Sequence, residues 1–273
     1  MVVDVKEVNG INVYYEFHQS ASAQKTMVLI HGFLSSSFSF RRLTPFLNQD
    51  YNVLLVDFPP FGKSGKTKKF IYTYENIAST FINLLNILKL DQVILVGHSM
   101  GGQISLHMAY QRPDFIESLV LLGSSSYLKP AHRAIRYSSY LPFFPIIVKR
   151  WLAKSGLLNN LQNVVYNQNM INEEMMNGYM EPFLNEDIFR GLTKLVRDRE
   201  EELSSEILAK ITTDSLLIWG EHDRVVPVSV GRRLHQDLTN SELIVLAETG
   251  HLVPEEKPDL VYNHIKDFLN KSS

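Results

Sequence analysis

The sequence predicts an α/β protein, and three observations carry that prediction. Short apolar runs recur along the chain, and most are continuous rather than alternating, which is typical of parallel strands buried on both faces. Helical patterns fall between several of these runs. Near the N-terminus, Asn9-Gly10 separates two strand-like segments and is a strong signal for a β-hairpin. A hairpin followed by strand–helix–strand units implies a sheet with helices on both faces.

The individual elements follow from these runs. Apolar residues spaced i, i+4, i+7, i+8 and i+11 predict a helix over residues 77–88. A similar pattern predicts a helix over residues 260–269, with Pro258 at its start. The predicted strands are residues 2–8, 11–17, 27–30, 53–56, 93–96, 119–122, 216–219 and 243–246.

Residues 124–206 break this alternation, because no strand-like run occurs in them. The stretch is helical in character, and it is rich in tyrosine and methionine. One interpretation is ordinary helical core, in which methionine fills gaps. The alternation resumes at Leu216, which favours an insertion that covers a pocket. We therefore predict an α/β core formed by residues 1–123 and 207–273, with residues 124–206 as a helical cap.

Composition excludes several classes of protein. The 273 residues include 27 Lys and Arg against 29 Asp and Glu, so the net charge is −2 and neither a nucleic-acid nor a membrane partner is expected. Cysteine is absent, which excludes disulfides, thiolate metal sites and a cysteine nucleophile. The N-terminus has no apolar signal core, and no stretch approaches the ~20 residues that span a bilayer. We expect a soluble cytoplasmic protein, either a monomer or a homodimer.

The strongest chemical signal is the Gly-x-Ser-x-Gly sequence around Ser99. It directly follows the predicted strand 93–96 and precedes a helical pattern. In this context the pentapeptide predicts a nucleophile elbow, a sharp turn that projects the serine hydroxyl above the sheet. Glycines two residues before and after the serine allow the neighbouring backbone to pass closely.

A serine nucleophile needs a histidine base held by a carboxylate. Asp223 follows the predicted strand 216–219, and His251 follows the last predicted strand. Both lie beyond the carboxyl ends of strands, where open α/β sheets bind ligands. Glu221 is the alternative acid. The loop after strand 119–122 has no carboxylate, and the histidine spacing does not favour a metal site.

An oxyanion hole requires two backbone N–H groups aimed at the developing charge. Met100, directly after the nucleophile, is predicted to supply one N–H. The loop after the third strand is predicted to supply the other, from Phe33. His31 is interpreted as a structural hydrogen-bonding residue, and residues 57–64 as a structural turn rather than a phosphate loop.

Taken together, these segments resemble the α/β-hydrolase superfamily along nearly the whole chain, and most closely its small bacterial carboxylesterase-like members. The resemblance implies an eight-stranded, mostly parallel sheet whose second strand is antiparallel, and a helical cap inserted after the sixth strand. One departure is Pro60, where the family has glycine, so this turn is expected to differ locally. The matching segments are His31-Gly32-Phe33, Asp57 to Ser64, Gly97 to Gly102, Gly220 to Asp223 and Gly250-His251.

From this resemblance and the residues we predict a carboxylesterase acting on small or medium apolar acyl esters. Ser99 attacks, His251 is the general base and then the general acid, and Asp223 orients His251. No cofactor and no metal are expected. The alternatives are a C–C hydrolase or a menaquinone-synthesis-type lyase with the same triad, a cofactor-free perhydrolase, or a ligand-sensing protein with slow turnover.

Overall fold

The computed structural model describes residues 1–271, with the backbone alone for residue 155. Its centre is an eight-stranded sheet in the order β1-β2-β4-β3-β5-β6-β7-β8. Strand β2 pairs antiparallel with both β1 and β4, and all other pairs are parallel. The prediction of a mostly parallel sheet with an antiparallel second strand is therefore confirmed.

All eight predicted strands are present, with ends that differ by a few residues. The strands β1 to β8 are Val2–Val8, Ile11–His18, Thr26–Ile30, Asn52–Val56, Val93–His98, Ile116–Leu122, Ser215–Gly220 and Ser241–Leu246. The helices α1 to α12 are Thr44–Leu47, Tyr74–Leu88, Met100–Gln111, Arg133–Ser138, Phe144–Ser155, Leu157–Val164, Glu173–Met180, Asp187–Asp198, Ser205–Leu208, Val228–Asp237, Val253–Glu256 and Pro258–Lys271. Four 3₁₀ turns lie at Ser37–Phe40, Pro113–Phe115, Gln168–Met170 and Glu181–Leu184.

Helix α2 shows why sequence periodicity misplaces helix ends. It begins three residues before the predicted residue 77, because the Thr73 side chain accepts a hydrogen bond from the Asn76 N–H and caps the helix. The helix ends at Leu88, and the next residue, Lys89, adopts a left-handed conformation (φ 57°). The apolar pattern records only the buried face, so it does not report the capping residue.

The two faces of the sheet bury separate apolar clusters. Helices α2, α3 and α10 pack on one face, and α1 and α12 pack on the other. The strands between them are buried along nearly their whole length, from β3 to β7. This burial on both faces explains the continuous apolar runs in the sequence.

Between β6 and β7 the described chain contains helices α4 to α9 and no strand. Helix α8 buries Ile188, Leu192 and Leu195, spaced i, i+4 and i+7, against the core cluster. Helix α5 packs against α8, and α6 packs against α7. No helix within residues 1–271 combines the length and apolar character needed to cross a bilayer.

Candidate active site

Ser99 occupies the turn between β5 and α3 in an unusual backbone conformation. Its φ is 52° and its ψ is −119°, a region that non-glycine residues rarely adopt. The surrounding backbone holds this geometry: the Ser99 N–H donates to the Leu122 carbonyl at 3.0 Å, and the Ser99 carbonyl accepts from Gly102 at 2.9 Å and Ser125 at 3.0 Å. The sharp strand–turn–helix geometry expected from the sequence is therefore present.

Gly97 and Gly101 allow neighbouring backbone to approach this turn. A Cβ at Gly101 would lie 2.0 Å from the carbonyl oxygen of Ile30, and a Cβ at Gly97 would lie 2.6 Å from the carbonyl oxygen of Gly101. Both distances are shorter than any side chain tolerates. The two glycines thus let α3 start directly against β3 and β5.

His251 and Asp223 form a close buried pair at the same edge of the sheet. The Nδ1–H of His251 donates to Asp223 Oδ2 at 2.7 Å, and each residue is less than a tenth exposed. The other carboxylate oxygen, Oδ1, accepts from the N–H groups of Val225 and Val226, each at 2.8 Å. In a neutral ring this hydrogen bond selects the tautomer with the proton on Nδ1, so Nε2 is the nitrogen that can accept a proton.

Glu221, the alternative acid, lies elsewhere. Its carboxylate is exposed and faces His222, with 3.5 Å between Oε2 and Nε2. Asp223, not Glu221, is the residue that the structure brings to His251. Both acids follow β7, and the turn after Gly220 directs only the second of them inward.

The loop after β3 packs directly on Ser99. A Cβ on Gly32 would lie 3.1 Å from Ser99 Cβ, so the next residue, Phe33, begins beside the serine. The N–H groups of Phe33 and Met100 are not taken by backbone carbonyls within residues 1–271. They are therefore free to donate to a bound group.

His31 and Asp57 form hydrogen bonds with the backbone of this loop. His31 Nδ1–H donates to the Gly32 carbonyl at 2.8 Å, and its Nε2 accepts from the Phe58 N–H at 3.2 Å. Burial lowers the pKa of His31 to about 3, so the ring is neutral and structural. Asp57 accepts from the N–H groups of Ser37 and Lys63, and burial raises its pKa to about 6.

The turn over residues 57–64, which contains Pro60, closes over a buried carboxylate. Pro59-Pro60 is a cis peptide, and positive φ occurs later, at Gly62 (φ 51°). A Cβ on Gly62 would lie 2.0 Å from Asp57 Oδ2. Glycine at position 62 therefore permits the turn to close over the Asp57 carboxylate, and the segment is a structural turn.

His98 has a role that sequence reasoning did not assign. Its Nε2–H donates to the His251 carbonyl at 2.9 Å, and the two ring centroids are 4.8 Å apart. Burial lowers the pKa of His98 to about 3, with the nearby His251 adding to the effect. A neutral His98 thus holds the backbone of His251 in place. The sequence signal for this role is the position of His98 next to Ser99 in the nucleophile elbow.

Ser99 and His251 line one cavity of about 750 Å³, and residues 124–206, here called the helical segment, contribute other parts of its wall. This volume lies within the range of small-molecule sites. Lys149 is the cation in its lining, and it pairs with Glu186 on the outside. Within residues 1–271 no group of three or more His, Asp or Glu side chains is arranged to hold a metal ion. The apolar lining comes from Phe33, Leu34, Trp151, Leu152, Leu157, Leu161, Val164, Met180, Phe183, Phe189, Val225 and Leu252.

The helical segment is hydrogen-bonded to the loop that carries His251. At the end of α6, the Val164 carbonyl accepts from the N–H of His251 at 2.7 Å and from the N–H of Leu252 at 3.3 Å. Glu256 adds a second connection: Oε1 accepts from Gly250 N–H at 2.9 Å, and Oε2 accepts from Tyr166 N–H at 2.8 Å. Neither connection has a sequence motif.

Replacing Glu256 by alanine is expected to lower both stability and activity. Gly250 and Tyr166 would each lose a charged acceptor, and a lost hydrogen bond of this kind costs about 1–3 kcal/mol of unfolding free energy. Chemical denaturation measures the stability change, and kcat/KM on a chromogenic ester measures the activity. Glu242→Ala, which removes an exposed carboxylate, is the matched control. Equal effects of the two variants would contradict the role assigned to Glu256.

Comparison with known proteins places the chain in a family. Residues 25–258 match the model of the alpha/beta hydrolase fold. "Uncharacterized hydrolase YugF" of Bacillus subtilis (strain 168) is 51% identical over 262 residues, covering 96% of each chain.

Two more distant relatives differ in what their names describe. A 2-hydroxy-6-oxononadienedioate/2-hydroxy-6-oxononatrienedioate hydrolase of Paraburkholderia phymatum is 27% identical, covering 96% of this chain and 93% of its own. A Haemophilus influenzae protein provisionally named esterase/lipase is 26% identical, covering 94% of this chain and 88% of its own. The family match spans most of the chain, and the described fold agrees with it. This chain is therefore a hydrolase of the α/β-hydrolase family.

Proposed function

We propose that the protein is a carboxylesterase that cleaves esters of small or medium apolar acyl chains through an acyl-enzyme. The observation that carries this proposal is the apolar cavity lined by Ser99 and His251, with Asp223 hydrogen-bonded to the histidine. Such an arrangement suits nucleophilic attack by a serine at a substrate held by apolar contacts.

The proposed reaction follows from the tautomer of His251. Its Nε2 takes the proton from Ser99 Oγ as that oxygen attacks the ester carbonyl. The N–H groups of Phe33 and Met100 stabilise the negative oxygen of the tetrahedral intermediate. His251 then protonates the departing alcohol. In the second half of the reaction, His251 takes a proton from a water molecule that attacks the acyl carbon, and returns it to Ser99 Oγ as the acid is released. Asp223 orients the ring and stabilises its positive charge.

We further propose that residues 124–206 act as a cap over the core of residues 1–123 and 207–273. Support comes from the cavity lining, because α5, α6, α7 and α8 all contribute side chains to the cavity that contains Ser99. The acyl group would then lie against the underside of the cap. The cap would set the range of acids that the site accepts.

A C–C hydrolase is the second candidate, and the name of the Paraburkholderia phymatum relative favours it. A dienedioate of the kind in that name carries two carboxylates, which a site recognises with cations. Lys149 is the cation of the cavity lining, and Glu186 already pairs with it. This charge pattern supports an apolar ester over a dianionic substrate.

The acyl-chain dependence of kcat/KM tests the proposal. Each buried methylene contributes about 0.8 kcal/mol, so kcat/KM is expected to rise up to about fourfold per carbon until the cavity is full. The experiment uses p-nitrophenyl esters from acetate to palmitate, with a mono-ester of a dicarboxylic acid and a meta-cleavage dienoate as further substrates. We expect an optimum at a short or medium acyl chain.

A matched pair of variants connects that optimum to the cavity. Leu157 lines the cavity, whereas its neighbour Leu158 does not and is half exposed. Leu157→Trp should move the optimum to shorter acyl chains, and Leu158→Trp should leave it unchanged. Faster turnover of the dienoate than of every ester, or a preference for the anionic ester that Lys149→Gln removes, would overturn the carboxylesterase assignment.

A further inference from the structure

The charges of the helical segment are separated along the chain. Residues 124–172 contain six Lys or Arg and no Asp or Glu. Residues 173–206 contain ten Asp or Glu and four Lys or Arg. The overall charge of −2, from which no anionic partner is expected, conceals this separation. The basic part includes α4, α5 and α6.

The basic part also exposes large apolar side chains. Eight of them lie on α4, on α5 and in the turn between these helices, and we call them the α4–α5 surface. Phe143 is 69% exposed and Trp151 is 66% exposed, whereas surface side chains of this size are ordinarily covered in a monomer. The α4–α5 surface consists of Ile135, Tyr137, Tyr140, Leu141, Phe143, Ile146, Ile147 and Trp151.

Helix α5 is apolar on two adjacent faces, one turned inward and one turned outward. Phe144, Val148 and Leu152, spaced i, i+4 and i+8, face inward, and the last two pack on the core cluster. Phe143, Ile147 and Trp151 follow the same spacing one position earlier and are exposed. The inward face accounts for the packing of the helix, so the outward face is not needed for the fold.

Cations lie beside this outward face. Arg150 and Lys154 are exposed in the C-terminal half of α5, and Arg133 is exposed at the start of α4. None of the three forms an ion pair with an acidic side chain within residues 1–271. Exposed aromatic and aliphatic residues bordered by Lys and Arg are typical of segments that lie in the interface of an anionic bilayer.

We propose that the α4–α5 surface docks on the surface of an anionic phospholipid bilayer. Its apolar side chains would enter the headgroup region, and Arg133, Arg150 and Lys154 would contact lipid phosphates. A second copy of the chain fits less well, because a two-fold interface would place this basic surface against itself. Docking requires no membrane-spanning helix.

Docking would also bring lipid close to the cavity. Trp151 belongs to the α4–α5 surface and lines the cavity that contains Ser99, as does its neighbour Leu152. Helix α5 thus forms the wall between the docked surface and the cavity. Delivery of an ester from the bilayer past α5 rests on the proposed esterase function, whereas docking itself does not.

Vesicle binding by the full chain tests the docking surface. Vesicles of diether phosphatidylcholine, alone or mixed equally with diether phosphatidylglycerol, contain no carboxylic ester, so the proposed esterase activity cannot influence the result. We expect sedimentation with the anionic vesicles only, and release by high salt. Because each basic residue near an anionic surface contributes about fivefold to binding, the double variant Arg150→Gln/Lys154→Gln should bind roughly 25-fold more weakly.

Matched variants distinguish vesicle binding by this surface from nonspecific adsorption to vesicles. Phe143→Ser/Ile147→Ser should abolish vesicle binding, while Ile71→Ser/Ile87→Ser, at equally exposed positions on the core, should not. Lys210→Gln/Arg232→Gln is the charge control. All variants should retain the wild-type melting temperature and turnover of a water-soluble ester, since none of these residues lines the cavity.

Three results would overturn the proposal. They are absence of binding to either vesicle, equal binding to neutral and anionic vesicles, and binding that the α4–α5 variants do not weaken. Light scattering measures the oligomeric state of the wild type and of Phe143→Ser/Ile147→Ser. A wild-type dimer that this variant converts to monomer would also overturn the proposal, because the surface would then join two copies of the chain.

Discussion

Ser99→Ala is expected to lower kcat for ester hydrolysis by about 10⁴- to 10⁶-fold. The hydroxyl is the only group of the residue that the proposed reaction uses, so the loss should be nearly complete. The backbone of Ser99 is held by Leu122, Gly102 and Ser125, and alanine leaves those bonds in place. Steady-state kinetics on a p-nitrophenyl ester measures the effect, and thermal unfolding checks that the fold is retained.

Ser35→Ala is the matched control for this experiment. Ser35 is a second serine in the lining of the same cavity, and its hydroxyl has no role in the proposed reaction. We expect its kcat to remain within about tenfold of wild type. Covalent labelling by an organophosphate should modify Ser99 in the wild type and no residue in Ser99→Ala. Activity above a tenth of wild type in Ser99→Ala would refute the nucleophile assignment.

Asp223→Asn is expected to lower kcat by about 10⁴-fold, with little change in the binding of a substrate analogue. An amide cannot stabilise the positive charge that develops on His251. Its NH₂ group would also face the ring nitrogen that now donates at 2.7 Å, which favours the wrong tautomer. Single-turnover kinetics measures the chemical step, and calorimetry with a non-hydrolysable analogue measures the binding.

Glu221→Gln provides the comparison for this second variant. Glu221 lies two residues earlier in the same loop, and its carboxylate is exposed. We expect its kcat to stay within a few-fold of wild type. If Glu221→Gln were the more damaging of the two, Glu221 would be the acid, and the loop after β7 would have to rearrange during catalysis.

The sequence predicted the fold well because each part of it leaves a local pattern. Continuous apolar runs mark strands that are buried on both faces, and Asn9-Gly10 marks the hairpin. The surroundings of Ser99 were also predictable, since a serine between a strand and a helix with glycines on both sides has few structural solutions. The carboxylate that pairs with His251 was predictable only to the level of one loop, because Glu221 and Asp223 both follow the same strand.

Contacts between distant parts of the chain left no such pattern. The bonds from Val164 to His251 and from Glu256 to Gly250 join segments whose residue types are ordinary for their own elements. His98 occupies a variable position of the Gly-x-Ser-x-Gly sequence, so the sequence did not indicate that its ring supports the backbone of His251. The α4–α5 surface was not predicted for another reason. The net charge of the whole chain adds a basic segment to the acidic segment that follows it, so the value does not show that the two are separate.

The bonds between Val164 and the His251 loop have a consequence for recombination of related genes. A chimera that takes residues 124–206 from a relative would receive a foreign carbonyl at the position that anchors the backbone of His251. The exchange would therefore change the substrate specificity and weaken the support of the His251 backbone at the same time. Crossovers that keep the end of α6 with the parental core should yield active chimeras more often than crossovers at the ends of the insertion. Exchange of substrate range between relatives would then depend on how well the end of α6 fits the His251 loop as well as on the shape of the cavity.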